Sequence, residues 1–343
     1  MNNNQYIISK NDSYIIKAIA IFLMFIHHFF TFPHWILSGG YTKFSFYFNA
    51  PTKLCVSIFA FITGWAYVLS SKHTLRNSFE RICKFLINYW IVYIPVLLLS
   101  VCIFKYRPSA LDIISEAFGI DTPVMKFCWY VSFYIISMIL LPFIYKFIDK
   151  SLILAVVSGV IVPILFFSVL KLLVPSKSGL QLLFNNLKHW FPCICIGAIF
   201  NRYNLFRYFS VYTLRINRWI ILFAAFAICN IGRYFISALD ILYCSVLVFA
   251  IVNIHFVSNS IITKILVSIG KVSINMWFLH CILFNSITTN FFQPLIYWPK
   301  NPVLIYIWGV IVFYVLANIF TIIDKKVAKT IIVKKFLNNF TAE

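Results

Sequence analysis

Apolar runs of about 18 to 22 residues alternate with short polar stretches along nearly the whole chain. Wound as helices, runs of that length can cross roughly 30 Å of hydrocarbon. Approximately ten are found, near 13–32, 52–70, 84–104, 127–145, 152–170, 183–200, 219–236, 240–257, 269–288 and 303–323. Asn230, Gly232 and Arg233 interrupt the seventh, and the sixth is short. The longest polar stretches, 33–51, 105–126 and 201–218, leave no room for a separate soluble domain. The pattern therefore predicts an all-α integral membrane protein forming one membrane domain over residues 1–343. Within the middle polar stretch, Pro108 to Gly119 has the spacing of a short amphipathic helix lying on the outer surface. No internal repeat is visible, so the inverted-repeat signature of many secondary transporters is missing.

Composition excludes a water-soluble domain: 62% of the 343 residues are hydrophobic and 11% are charged. The 29 basic residues then set the orientation. With the N-terminus inside, the inner segments hold Lys10, the Lys72–Lys84 group, Lys146 and Lys150, the Arg202–Arg218 group, Lys264 and Lys271, and the Lys-rich tail from Lys325 to Lys335. An even number of crossings returns the C-terminus to the cytoplasm. The net charge of +20 reads as a topology signal and a means of holding anionic lipid headgroups, not as a nucleic-acid surface. The polar opening Met1-Asn2-Asn3-Asn4 lacks signal-peptide character, so the first span is expected to stay as an anchor. All nine cysteines fall in predicted spans or at their ends, without zinc-type or extracellular framework spacing, and read as small apolar packing residues.

The first span carries the sharpest chemistry. His27 and His28 stand together in an apolar run whose only charge is Lys17, and ionisable groups in such a place point to a site. Lys17 and His28 are eleven residues apart, three helical turns plus about 20°, so they share a face; His27 is turned about 80° from Lys17. A rise of about 16 Å puts Lys17 near the inner end and His28 well across the bilayer. Read alone, Lys17 is a snorkelling residue and a single intramembrane histidine a core hydrogen-bonding group; the pair at this spacing favours a site.

Lys17 and His28 match the spacing of a charged residue, ten intervening residues and a histidine. In this the chain resembles membrane acyltransferase family 3, whose first helix carries arginine at the first of these positions. Lysine keeps the charge without the planar fork that grips an anion in two places. The resemblance continues through Lys53 to Trp65, similar to the family's second helix, with Thr63 and Trp65 as its departures. It extends to Arg81-Ile82-Cys83-Lys84 with Asn88-Tyr89, to Trp129-Tyr130-Val131 with Tyr134 and Pro142, and to Gly270–His280, where Ser273 and His280 close the motif. The histidine pair, the Phe-Pro that follows and the late motif look most like stand-alone polysaccharide O-acetyltransferases.

The resemblance implies transfer of an acyl group, usually acetyl from cytosolic acetyl-CoA as co-substrate with no bound cofactor or metal. The acceptor would be a sugar hydroxyl of a capsule, O-antigen or exopolysaccharide, or of its lipid-linked precursor, at a bacterial-type inner or plasma membrane. His28 would be the base or a transient acyl carrier, a choice the residues leave open. Lys17, Arg81 and Lys84 are candidate partners for the donor's phosphates, although Arg81 and Lys84 also suit ordinary positive-inside residues. His280, Trp129, Tyr130 and Ser273 are candidates for the acceptor pocket; His280 equally suits a packing cap, and Trp129 and Tyr130 suit interfacial anchors. His34, His73, His189 and His255 fall at span ends or loops. A second reading is a transporter or flippase for a lipid-linked sugar or anion, against which Asp12, Asp149 and Asp324 lie at span ends, away from the middle of the bilayer.

Overall fold

Ser9 and Asp12 open the first helix with a reciprocal cap: the Ser9 N–H donates to Asp12 Oδ2 at 2.9 Å, and the Asp12 N–H donates to Ser9 Oγ at 3.1 Å. The apolar run behind that cap winds into α1 (Lys10–Phe30). In the computed structural model, residues 8–30, 51–70, 72–121, 123–176, 178–256, 260–284, 287–327 and 330 are described. Phe32, Pro33, His34, Lys329, Lys334 and Lys335 lie outside the described residues.

Twelve further helices follow among the described residues. They are α2 (Cys55–Val68), α3 (Leu75–Cys102), α4 (Ala110–Ala117), α5 (Tyr130–Ile148), α6 (Leu152–Leu173), α7 (Gly179–Arg202), α8 (Leu205–Thr213), α9 (Arg218–Phe235), α10 (Asp240–Asn253), α11 (Ile261–His280), α12 (Thr289–Tyr297) and α13 (Pro302–Val327). Among these residues no strand forms. Seven helices are long and apolar enough to cross a membrane: α1, α3, α5, α6, α9, α13 and α11 with the turn that extends it to Leu283. The apolar helices α2 and α10 are shorter, and α7 carries Lys188, His189 and Arg202 along its length. The protein is an all-α integral membrane protein. Helix α11 starts at Ile261, well before the predicted boundary at 269. Lys264 and Ser268 break the apolar run there but not the helix, whose first turn is capped by Ser260 Oγ accepting from the Thr263 N–H at 3.1 Å.

The helices gather into two compact units. The first comprises the described parts of Met1–Ser71, Phe143–Leu170 and Asn185–Lys271. Within it α1 packs on α2 and α10, and α9 packs along α10 as a hairpin. Helices α2 and α7 cross at two glycines. A Cβ on Gly64 would lie 1.7 Å from the Ile194 carbonyl oxygen, and one on Gly197 would lie 2.0 Å from that of Phe61. Only glycine permits this approach, which gives Gly64 of the second-helix motif a packing role. Beside the crossing, Trp65 stacks on Phe206 at 5.3 Å, and its carbonyl accepts from Asn201 Nδ2 at 2.8 Å.

The second unit comprises the described parts of Lys72–Pro142, Lys171–Phe184 and Val272–Glu343. Here α13 packs on α3 and α12. Helix α4 begins with a capping box between Ser109 and Asp112. It exposes Leu111 and Ile114 while burying Glu116, so its apolar side is the open one, as suits a helix at a lipid interface. Three aromatic side chains of α3 hold it down. Tyr93 Oη donates to the Ile113 carbonyl at 3.2 Å, Tyr89 Oη to that of Glu116 at 3.0 Å, and Trp90 Nε1 to that of Ala117 at 2.8 Å.

Candidate functional site

In the first unit, α1 presents its ionisable residues unequally. His27 is buried, with 9% of its surface exposed, whereas Lys17 and His28 are both half-buried. Ile15, Ile16, Ala18 and Ala20 around Lys17, and Phe25, Phe29 and Phe30 around the histidines, are buried. Lys17 and His28 share one face of α1, three turns apart; Ile21 and Met24, between them on that face, are buried, and the half-exposed Ile19, Phe22 and Ile26 lie on the opposite side. The His27 and His28 ring centroids are 5.3 Å apart with planes at 59°, so the neighbouring rings point differently.

Near the inner end of α1 the unit adds a second cation. Lys17 Nζ lies 5.8 Å from the centre of the Tyr14 ring, and Lys271 Nζ lies 5.9 Å from it, within cation–π range. Gly270 makes this possible: a Cβ there would come 1.9 Å from the Tyr14 carbonyl oxygen, so α11 approaches α1 at backbone contact. Among the described residues the ion pairs involve other side chains, and neither Lys17 nor Lys271 faces a carboxylate in one. Two ammonium groups gathered at one ring repel each other and form a ready seat for an anion. Lys271 was counted in the sequence only as an inner basic residue; its partner Tyr14 is 257 positions away, beyond any local pattern.

The other candidates belong to the second unit. Arg81 is half-buried on α3. Lys84 has 57% of its side chain exposed and pairs with Glu80 one turn before it. Tyr130 is buried and packs on Trp277 at 4.7 Å; Phe85 stacks on Tyr134 at 4.2 Å and meets Phe278 edge-on at 5.6 Å. These rings form a closed aromatic core in which Tyr130 has little free surface, while Trp129 beside it is half-buried. Ser273 is buried. His280 has no exposed surface; its Nδ1 meets the Trp277 carbonyl, and its ring lies 5.7 Å from that of Phe284.

The family model of the acyltransferase domain matches residues 13–322. The chain belongs to acyltransferase family 3. No curated protein and no solved structure matches it. The protein is thus a membrane acyltransferase, and the match runs from α1 through most of α13, across both units.

Two acidic residues of this acyltransferase stand out only in the structure. Asp240, at the start of α10, is buried against Arg233 of α9 in a two-pronged pair: Arg233 Nε donates to Oδ1 at 2.7 Å and Nη2 to Oδ2 at 3.1 Å. Ser57 Oγ of α2 adds a donor to Oδ2 at 3.4 Å. The pair ties α9, α10 and α2 together, and its residues sit seven apart across a tight turn, where a reading of spans sees only boundaries. Glu116 is buried at the end of α4, where Oε1 accepts the Val124 N–H at 2.8 Å and the Met125 N–H at 2.5 Å. Burial pushes its carboxyl up to about 7, although the two N–H bonds favour the ionised form.

Proposed function

We propose that this acyltransferase moves acetyl from cytosolic acetyl-CoA to a sugar hydroxyl of a cell-surface polysaccharide, or of its lipid-linked precursor, at a bacterial-type inner or plasma membrane. The observation that supports the reading is the placement on one face of α1 of His28 and, about 16 Å nearer the inner end, Lys17, which Lys271 joins over Tyr14. The donor is a long, multiply charged anion with a thioester at its far end. Lys17 and Lys271 hold its phosphates at the inner end, where positive charge is expected, and its acyl end extends in the direction of His28.

The chemistry at His28 is general-base catalysis. The neutral imidazole takes the proton of the sugar hydroxyl as that oxygen attacks the thioester carbon, the carbon–sulfur bond breaks, and the imidazolium returns the proton to the leaving thiolate. The products are an O-acetyl ester and CoA. In the two-step variant an imidazole nitrogen first takes the acetyl group and then passes it to the sugar oxygen. In the second unit Tyr130, Ser273 and His280 are buried, and Trp129 beside them keeps a partly exposed ring. Membership of an acyltransferase family favours acyl transfer over carriage of a lipid-linked sugar.

The test compares surface polysaccharide from cells with and without the gene. The proposal expects the O-acetyl signals in proton NMR to vanish while the amount of exported polymer stays the same. Intact acyl substituents with halted export would instead identify a transporter.

A further inference from the structure

Cys128 and Cys281 are 153 residues apart in sequence, and both side chains are buried, yet their Sγ atoms approach to 3.3 Å. Cys128 stands two positions before α5, directly ahead of Trp129 and Tyr130. Cys281 opens the turn Cys281–Leu283 that follows His280. We propose that these two thiols are oxidised in the cell to a disulfide that staples the turn after His280 to the segment leading into α5.

Geometry, reactivity and compartment support the bridge. A disulfide needs its sulfurs about 2.05 Å apart, so closure from 3.3 Å requires roughly an ångström of further approach. The sulfurs otherwise make only weak contacts: Cys281 Sγ reaches the Trp277 carbonyl at 3.4 Å and His280 Nδ1 at 3.8 Å. The thiolate is the form that attacks a disulfide. With the N-terminus inside, the start of the fourth predicted span and the end of the ninth both lie on the outer side, where disulfides form and persist.

The step balances with an external disulfide oxidant, either a protein thiol oxidase or oxidised glutathione. The Cys281 thiolate attacks one sulfur of the oxidant and displaces its first thiol. The Cys128 thiolate then attacks Cys281 in the mixed disulfide and displaces the second. One S–S bond forms in the protein, two protons leave its thiols, and the oxidant departs as two thiols, having taken two electrons.

The test starts from cells expressing the full chain, quenched in acid, with free thiols blocked by N-ethylmaleimide and the protein digested without reductant. Mass spectrometry is expected to find a peptide pair joining Cys128 to Cys281 that disappears after dithiothreitol. Recovery of both cysteines as maleimide adducts overturns the proposal. An alkaline phosphatase fusion after Tyr106 reports separately on orientation: reduced cysteines with an active fusion fault the pairing itself, and reduced cysteines with an inactive fusion fault the assigned side. On purified protein, dithiothreitol should lower the unfolding midpoint of the wild type by about 5 °C and leave that of Cys281→Ala unmoved. Equal shifts in both would show that no staple exists.

Discussion

His28 and His280 are both histidines within apolar helices, and they differ in how far the protein covers them. His28 is half-buried on α1, on the same face as Lys17. His280 has no exposed surface and is enclosed by the Trp277 carbonyl, Cys281 and Phe284. A base must leave space beside its nitrogen for the hydroxyl it deprotonates, whereas a core histidine spends its nitrogen on a fixed acceptor. Rarity inside a membrane therefore flags both residues alike, and the roles proposed for them follow their different burial.

The largest expected effect breaks or confirms that contrast. His28→Ala should lower acetyl transfer by about 10²–10⁴-fold without shifting the unfolding midpoint of the purified protein. His280→Ala should keep turnover within about tenfold and lose about 1–3 kcal/mol of stability, the cost of orphaning a buried acceptor. Equal losses of turnover in the two variants would erase the distinction.

Next in size is the buried ion pair of the first unit. Removing one partner strands a buried charge, so Asp240→Ala or Arg233→Ala should destabilise by about 3–5 kcal/mol, read as a lower denaturation midpoint in detergent. The double change should cost less than the two single changes together. Full additivity would mean that the pair does not hold α9 to α10.

A smaller effect concerns the inner end of α1. Lys271→Ala should raise the KM for acetyl-CoA by about 10-fold, from loss of one charge-assisted contact, with kcat little changed, and Lys17→Arg should keep the wild-type KM. An unchanged KM in Lys271→Ala would remove it from the donor seat.

The smallest effect concerns Glu116 in the second unit. Its carboxyl is raised from an ordinary 4.5 to about 7 by burial, so the folded protein binds the proton more tightly than the unfolded one. Its contribution to stability is then fully present below about pH 4.5 and is lost as pH rises to about 7. Amide exchange across 110–125 should quicken over that window beyond its intrinsic rise, and Glu116→Gln should flatten the excess. An identical pH profile in the variant would show that another group controls this segment.

What the chain declares in advance divides along physical lines. The apolar runs and the helical phase of α1 follow from local periodicity, which is why the shared face of Lys17 and His28, the turned-away His27 and the short helix after Pro108 were all legible. Lys271 over Tyr14, Arg233 with Asp240 and Cys128 against Cys281 are products of tertiary approach, and nothing in local spacing records them. Glu116 misleads for a related reason: a carboxylate near the end of a surface helix looks solvated until the Val124 and Met125 amides are seen to wrap it. The aromatic Tyr130 reads from sequence as a possible binding wall, and only its contacts with Trp277 and Phe133 place it in a closed core.

The central claim is that one imidazole of the pair in α1 does the chemistry. It is tested most directly by the O-acetyl content of surface polysaccharide, measured by proton NMR, from cells carrying His27→Ala or His28→Ala at matched protein level. The account predicts that His28→Ala abolishes the acetyl signal while His27→Ala retains most of it. Equal acetyl content in His28→Ala and wild type, or equal losses in the two variants, would contradict it.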